Sequence, residues 1–142
     1  MSGAGLRRRV LIGGLAFFAL AAILAVIPLP AQSHSVNVWK PCTITGTAGN
    51  DSLGGTSGPD VICGLGGDDV IGGNGGADII RAGPGNDKIQ GDAGKDVLMG
   101  QAGNDWIWAR DGLHDHVNGG KGYDHCRADK SIDLLRYVEA VM

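Results

Sequence analysis

The sequence contains no G-x-S-x-G elbow, no H-E-x-x-H pair and no glycine-rich phosphate loop ending in Lys-Ser/Thr. Esterase, zinc-protease and nucleotide-binding chemistry therefore have no residues to rest on. Positive charge is also scarce, with 12 Lys and Arg against 15 Asp and Glu and a net charge of −3. That balance disfavours nucleic acid or an anionic membrane as a partner. Cysteine is limited to Cys42, Cys63 and Cys126. The histidines lack zinc-box spacing, so His114, His116 and His125 read as surface residues. Threonine repeats at one phase only at Thr47 and Thr56, too little for the regular ladder an ice-binding face needs.

What the chain has is glycine, 26 residues of 142. From Gly46 to Arg127 the glycines fall into a nine-residue phrase: GTAGNDSLG, GTSGPDVIC, GLGGDDVIG, GNGGADIIR, AGPGNDKIQ, GDAGKDVLM and GQAGNDWIW. After one extra residue, Ala109, it continues as RDGLHDHVN and GGKGYDHCR. The sixth position is always aspartate: Asp51, Asp60, Asp69, Asp78, Asp87, Asp96, Asp105, Asp115 and Asp124. The eighth is apolar: Leu53, Ile62, Ile71, Ile80, Ile89, Leu98, Ile107, Val117 and Cys126. Aspartate favours turns for its own reasons, but an unbroken phase over every copy points beyond turn chemistry.

Glycine-rich turns reach positive φ and can aim several carbonyl oxygens at one point. A carboxylate at the end of each turn, joined by one from a neighbouring turn, completes a cage of hard oxygen ligands that suits Ca²⁺ better than a softer transition metal. The candidate ligands are Asp51, Asp60, Asp69, Asp78, Asp87, Asp96, Asp105 and Asp124, in turns opened by Gly46, Gly55, Gly64, Gly73, Gly91 and Gly100. The two or three residues after each aspartate form a short strand, with the eighth-position side chain inward and the seventh and ninth outward.

The repeat resembles the hemolysin-type, or RTX, calcium-binding nonapeptide repeats. That resemblance implies an all-β fold, a right-handed parallel β-roll with Ca²⁺ in its turns and two copies per turn. The opening, CTITGTAGNDSLGGTSGPDVICGLGGDDVI (42–71), resembles that of small secreted repeat proteins in which one cysteine precedes the first turn and another closes the second copy. With copy i stacked on copy i+2, Cys42 and Cys63 lie on neighbouring rungs, and a bridge between them is the expected pairing. Cys126 occupies an apolar position and reads as a small buried hydrophobe. Relatives often close with a cysteine before a glutamate; here Val138 precedes Glu139. Sites between copies i and i+2 number about seven at most, and discounting those near the irregular eighth copy leaves about five. That copy has Arg110 for its first glycine and Leu113 at its fourth position.

Residues 1–31 combine Arg7, Arg8 and Arg9 with the uncharged run Val10–Ile27 and a proline-containing exit. These are the parts of an export signal, cleaved after Ala31 or Ser33; the alternative is an N-terminal membrane anchor. Loss of the three arginines leaves nine basic against 15 acidic residues, a net charge of −6. Residues 32–41 read as a linker, 42–127 as the roll and 128–142 as a C-terminal cap that breaks the period, either a short helix from Ser131 or a last strand. With one inward side chain per copy and many packed carboxylates, the chain is expected to stay disordered until calcium binds.

These features suggest a secreted, monomeric calcium-binding module with a structural or interaction role outside the cell, and not an enzyme. The alternative is a Ca²⁺-dependent carbohydrate- or protein-binding module using the outer face at Trp106 and Trp108, although exposed aromatic patches are usually occupied and the C-terminal segment is expected to cover that pair. A toxin or enzyme role has no residues to name. Membrane contact is expected only if the first segment is retained.

Overall fold

The computed structural model describes residues 40–129 and 133–142. The expected signal or anchor and nearly all of the linker lie outside the described residues. Strands β1 (Ile44–Thr45), β3 (Val61–Cys63), β5 (Ile79–Pro84), β7 (Val97–Ala102), β9 (His116–Lys121) and β11 (Leu134–Arg136) form one parallel sheet, in that order. Strands β2 (Ser52–Gly54), β4 (Val70–Gly72), β6 (Lys88–Gln90), β8 (Trp106–Ala109), β10 (His125–Ala128) and β12 (Ala140–Val141) form the other. Successive strands alternate between sheets, so the chain winds as a β-solenoid of about five turns.

The register follows from the period. Ile44 pairs with Ile62, Ile62 with Ile80 and Ile80 with Leu98; Leu53 pairs with Ile71, Ile71 with Ile89 and Ile89 with Ile107. Each eighth-position side chain stacks on its like two copies away, and the two rows meet as a single core closed by Val117, Cys126 and partly buried Leu135. Burial pushes the Cys126 thiol up to about 12, with Asp133 and Asp115 adding to the rise, so it stays an unreactive hydrophobe. Cys42 and Cys63 are bridged, Cα to Cα 5.9 Å. Cys63 lies opposite Thr45, and Cys42 reaches it from just before β1.

The structure shifts the irregular copy. Ala109, not Arg110, takes the first-glycine position: it is fully buried and pairs with Ala128, and Trp108 accepts the Gly91 N–H as Gln90 accepts that of Gly73. Gly112 then fills the fourth position with φ +87°, as Gly85 and Gly103 do in their turns. The extra residue falls in the exposed Leu113–His114 tip, where a surface turn absorbs it without disturbing the core.

The C-terminal segment does not break the period either. Ala128 stands at a first position, Asp133 at a sixth, and Leu135 at an eighth against Val117. Ala128, Asp133 and Leu135 thus stand as in a tenth copy, and β12 adds a last rung against β10. The end is strand, not helix, because β9 and β10 would otherwise each present an unpaired edge.

The outer faces differ. On the first sheet the seventh-position Val61, Ile79 and Val97 are themselves buried and form a second apolar cluster with Met99. On the second sheet the equivalent Val70 and Trp106 are 51% and 40% exposed. The C-terminal segment therefore does not cover Trp106.

Candidate metal centre

The turns bring the sixth-position aspartates together in two ladders, one along each edge of the solenoid. The Asp51 N–H donates to Asp69 Oδ1, that of Asp69 to Asp87, that of Asp87 to Asp105 and that of Asp105 to Asp124, at 2.8–2.9 Å. On the other edge Asp60 donates to Asp78, Asp78 to Asp96, Asp96 to Asp115 and Asp115 to Asp133. Glu139 Oε2 ends the first ladder by accepting the Asp124 N–H at 2.7 Å. One carboxylate oxygen of each thus seals the rung before it.

The other oxygen divides the aspartates into two kinds. In the first two copies Thr47 and Thr56 each donate a backbone N–H and a hydroxyl to it, at 2.6 and 2.9 Å for Asp51 and 2.6 and 2.8 Å for Asp60. These hydrogen bonds hold the Asp60 carboxyl below its usual range. In the tenth copy the Asp129 N–H does the same for Asp133 at 2.6 Å. By contrast, Oδ2 of Asp69, Asp78, Asp87, Asp96, Asp105, Asp115 and Asp124 is buried with no hydrogen-bond donor. The backbone explains the difference for all but Asp115, whose turn carries the extra residue. Leu65, Asn74, Asp92 and Gln101, second in their turns, all have positive φ, as do Gly83 and Gly120 at the same position. A left-handed residue there swings its N–H away from the aspartate.

A carbonyl from the turn stacked above approaches the same point. A Cβ built on Gly73 would lie 2.5 Å from both Asp78 Oδ2 and the Gly91 carbonyl oxygen. At Gly100 it would meet Asp105 Oδ2 and the Gly119 carbonyl, and at Gly64 it would meet Asp69 Oδ2 and the Ala82 carbonyl. Two acceptors converge there with no donor between them, an arrangement that a hard cation satisfies. Among the described residues no three His, Cys, Asp or Glu side chains gather as a metal-binding group, which fits a site drawing much of its ligation from backbone oxygen. His116 and His125 stand on different sheets, on β9 and β10, and make no transition-metal site.

In the absence of metal, burial makes six of these carboxylates harder to ionise. It pushes Asp96 and Asp105 up to about 7 and Asp87 and Asp115 up to about 6; the N–H bond from the preceding rung opposes the rise, and neighbouring carboxylates add to it. Asp78 and Asp124 are raised for the same first reason. A carboxyl whose folded pKa lies above its unfolded one holds its proton longer in the fold. Between about pH 4 and pH 7 the folded metal-free chain therefore binds more protons, and its stability falls as pH rises. Metal-stripped protein is expected to gain β-sheet circular dichroism on acidification from pH 7.5 to about 5. With saturating Ca²⁺ the order reverses, because protons compete with the ion. A metal-stripped chain that gains structure as pH rises would contradict this.

Asp51 and Asp60 belong to the expected ligand set, yet their outer oxygens are committed to threonine donors. Asp115 lies outside that set and stands in the ladder with its outer oxygen bare. A further row went unnoticed in the sequence. On one edge the fifth-position Asn50, Asp68, Asn86 and Asn104 each accept the N–H of the fifth residue of the next stacked turn, at 2.8–2.9 Å. Its signal is an Asn or Asp every 18 residues, visible only when alternate copies are compared.

The model of the RTX calcium-binding nonapeptide repeat, four copies long, matches residues 45–80, 72–107 and 90–126. No curated protein matches the chain.

Proposed function

Since the chain belongs to the RTX calcium-binding nonapeptide repeat family and is a calcium-binding β-roll module, we propose that it is a secreted protein whose roll folds outside the cell as it binds about five Ca²⁺ ions. The observation that carries this reading is the set of buried, donorless aspartate oxygens on both edges. The strongest gaps lie between stacked aspartates whose outer oxygens are both bare: Asp69 and Asp87, Asp87 and Asp105, Asp105 and Asp124, Asp78 and Asp96, and Asp96 and Asp115. Carboxylate oxygen and turn carbonyls would hold the ion, which supplies the positive charge the ladder lacks. The repeat family is a structural calcium-binding fold and not an enzyme class.

Secretion rests on residues 1–31, with their basic start, apolar run and small-residue exit. Calcium outside cells is abundant and inside scarce, so export and folding are coupled: the chain crosses the membrane loose and folds on arrival. Its role there is structural or interactive. Expression of the full chain with N-terminal sequencing of the product tests the location. A soluble product in the medium beginning at Gln32 or His34 is expected; an uncleaved product held in the membrane fraction would replace secretion with anchoring.

A further inference from the structure

We propose that the outer face of the second sheet binds a carboxylated saccharide, a uronate-containing glycan, across Trp106 and Trp108. Register alone builds the face. Strands β6, β8 and β10 place Lys88, Trp106 and His125 side by side in one row and Gln90, Trp108 and Arg127 in the next. Neighbouring strands stand about 4.8 Å apart, so two indoles form the centre of an array with hydrogen-bond donors on both flanks. No carboxylate stands in it, although the chain as a whole is acidic.

The rings are nearly parallel and stacked, with Trp106 between His125 and Trp108. Trp106 stacks on His125 with centroids 4.5 Å apart at 21°, and on Trp108 with centroids 6.2 Å apart at 25°. Trp106 is 40% exposed. Beside Trp108 a groove of about 250 Å³ is bordered by Gln90, Asp92, Arg110 and Arg127. The Asp92 oxygens already accept from the Gln90 side chain and the Asn74 N–H. Arg110, its side chain 71% exposed, makes only a long 3.9 Å contact with Asp129. The groove thus offers two guanidinium groups beside the Trp108 indole, against the one already hydrogen-bonded carboxylate of Asp92.

This chemistry selects the ligand. A pyranose lays its C–H face on an indole, and a few placed donors fix its orientation. A guanidinium takes a carboxylate through two parallel N–H bonds, which selects an acidic sugar over a neutral one. An extended acidic peptide fits less well, because strand addition needs a free edge and β8 is paired on both sides. The proposal rests on the calcium-binding roll only in that the array exists once the roll is folded.

The test is calorimetric titration of the calcium-loaded protein with trigalacturonate, too short to gel, and with the matching neutral galactose trisaccharide. Trigalacturonate is expected to bind at least about tenfold more tightly than the neutral sugar. Arg127→Gln should abolish most of that preference, and Arg127→Lys, which keeps the charge but not the fork, should recover part of it. Trp108→Ala should weaken both sugars by about tenfold. Circular dichroism on the same samples reports folding, so a missing calcium response would count against metal-ordered folding while the titration still decides this proposal. Equal affinity for the two sugars, no saccharide binding by a folded roll, or tighter binding of an oligoglutamate peptide would overturn it.

Discussion

Stripped of calcium at neutral pH, the roll is expected to lose most of its β-sheet ellipticity, and to regain it cooperatively when Ca²⁺ is returned. The reason lies in the distribution of burial. Each copy from the third to the ninth commits one side chain to the core, from Ile71 to Cys126, and with it buries an aspartate whose outer oxygen has no donor. The apolar gain of a single side chain, about 1.5–3 kcal/mol, does not cover both the ordering of a glycine-rich turn and a desolvated carboxylate. A ligand present at a hundredfold its Kd stabilises by about 2.7 kcal/mol per site. Several such sites together reach the whole stability of an ordinary domain, about 5–15 kcal/mol. Magnesium should substitute poorly, because it demands a smaller, stricter octahedron than stacked turns provide. Far-UV circular dichroism with a chelator, then with each ion, reads the outcome, and a chelated chain that keeps its full β signal would defeat the claim.

Neutralising one inner aspartate should have opposite effects with and without metal. Asp105 is fully buried, its carboxyl raised to about 7 by desolvation, and it faces the Gly119 carbonyl with no donor between. Asp105→Asn keeps an acceptor for the Asp87 N–H but removes the charge. Without calcium the variant is expected to be more folded than the parent, since a buried unpaired charge is gone. With calcium it should be less stable, and half-folding should need about tenfold more Ca²⁺, because ligand charge sets affinity in such sites. Asp60→Asn is the control. Its outer oxygen is held by Thr56 and not left for a cation, so the stability lost should be similar in both conditions. Denaturant melts of both variants decide this, and an Asp105→Asn chain that is weakened equally in both conditions would remove the metal from the explanation.

What the sequence made legible was whatever depended on the period. The inward row and the aspartate ladder follow from counting by nine, and the Cys42–Cys63 bridge from stacking alternate copies. Three features escaped because local identity hid the register. Ala109 fills a glycine position by being small, not by being glycine, and only its burial and hydrogen bonds reveal which residue is the insertion. The tenth copy keeps Asp133 and Leu135 but has no glycine, so a glycine-led phrase overlooks it. Turn openness depends on φ at the second residue, and Leu65 or Gln101 in a left-handed conformation is imposed by the stack and not by propensity. The buried Val61–Ile79–Val97 row was also out of reach, since strand alternation assigns those residues outward without saying what they meet.

The most direct test of calcium-coupled folding is a calorimetric titration of the metal-stripped mature chain with Ca²⁺, followed in parallel by circular dichroism. Several ions per chain, about five, are expected, with the β signal rising over the same range of calcium and a large exothermic heat from ordering. A chain that is folded before the first addition, or that takes up no more than one ion, would contradict it.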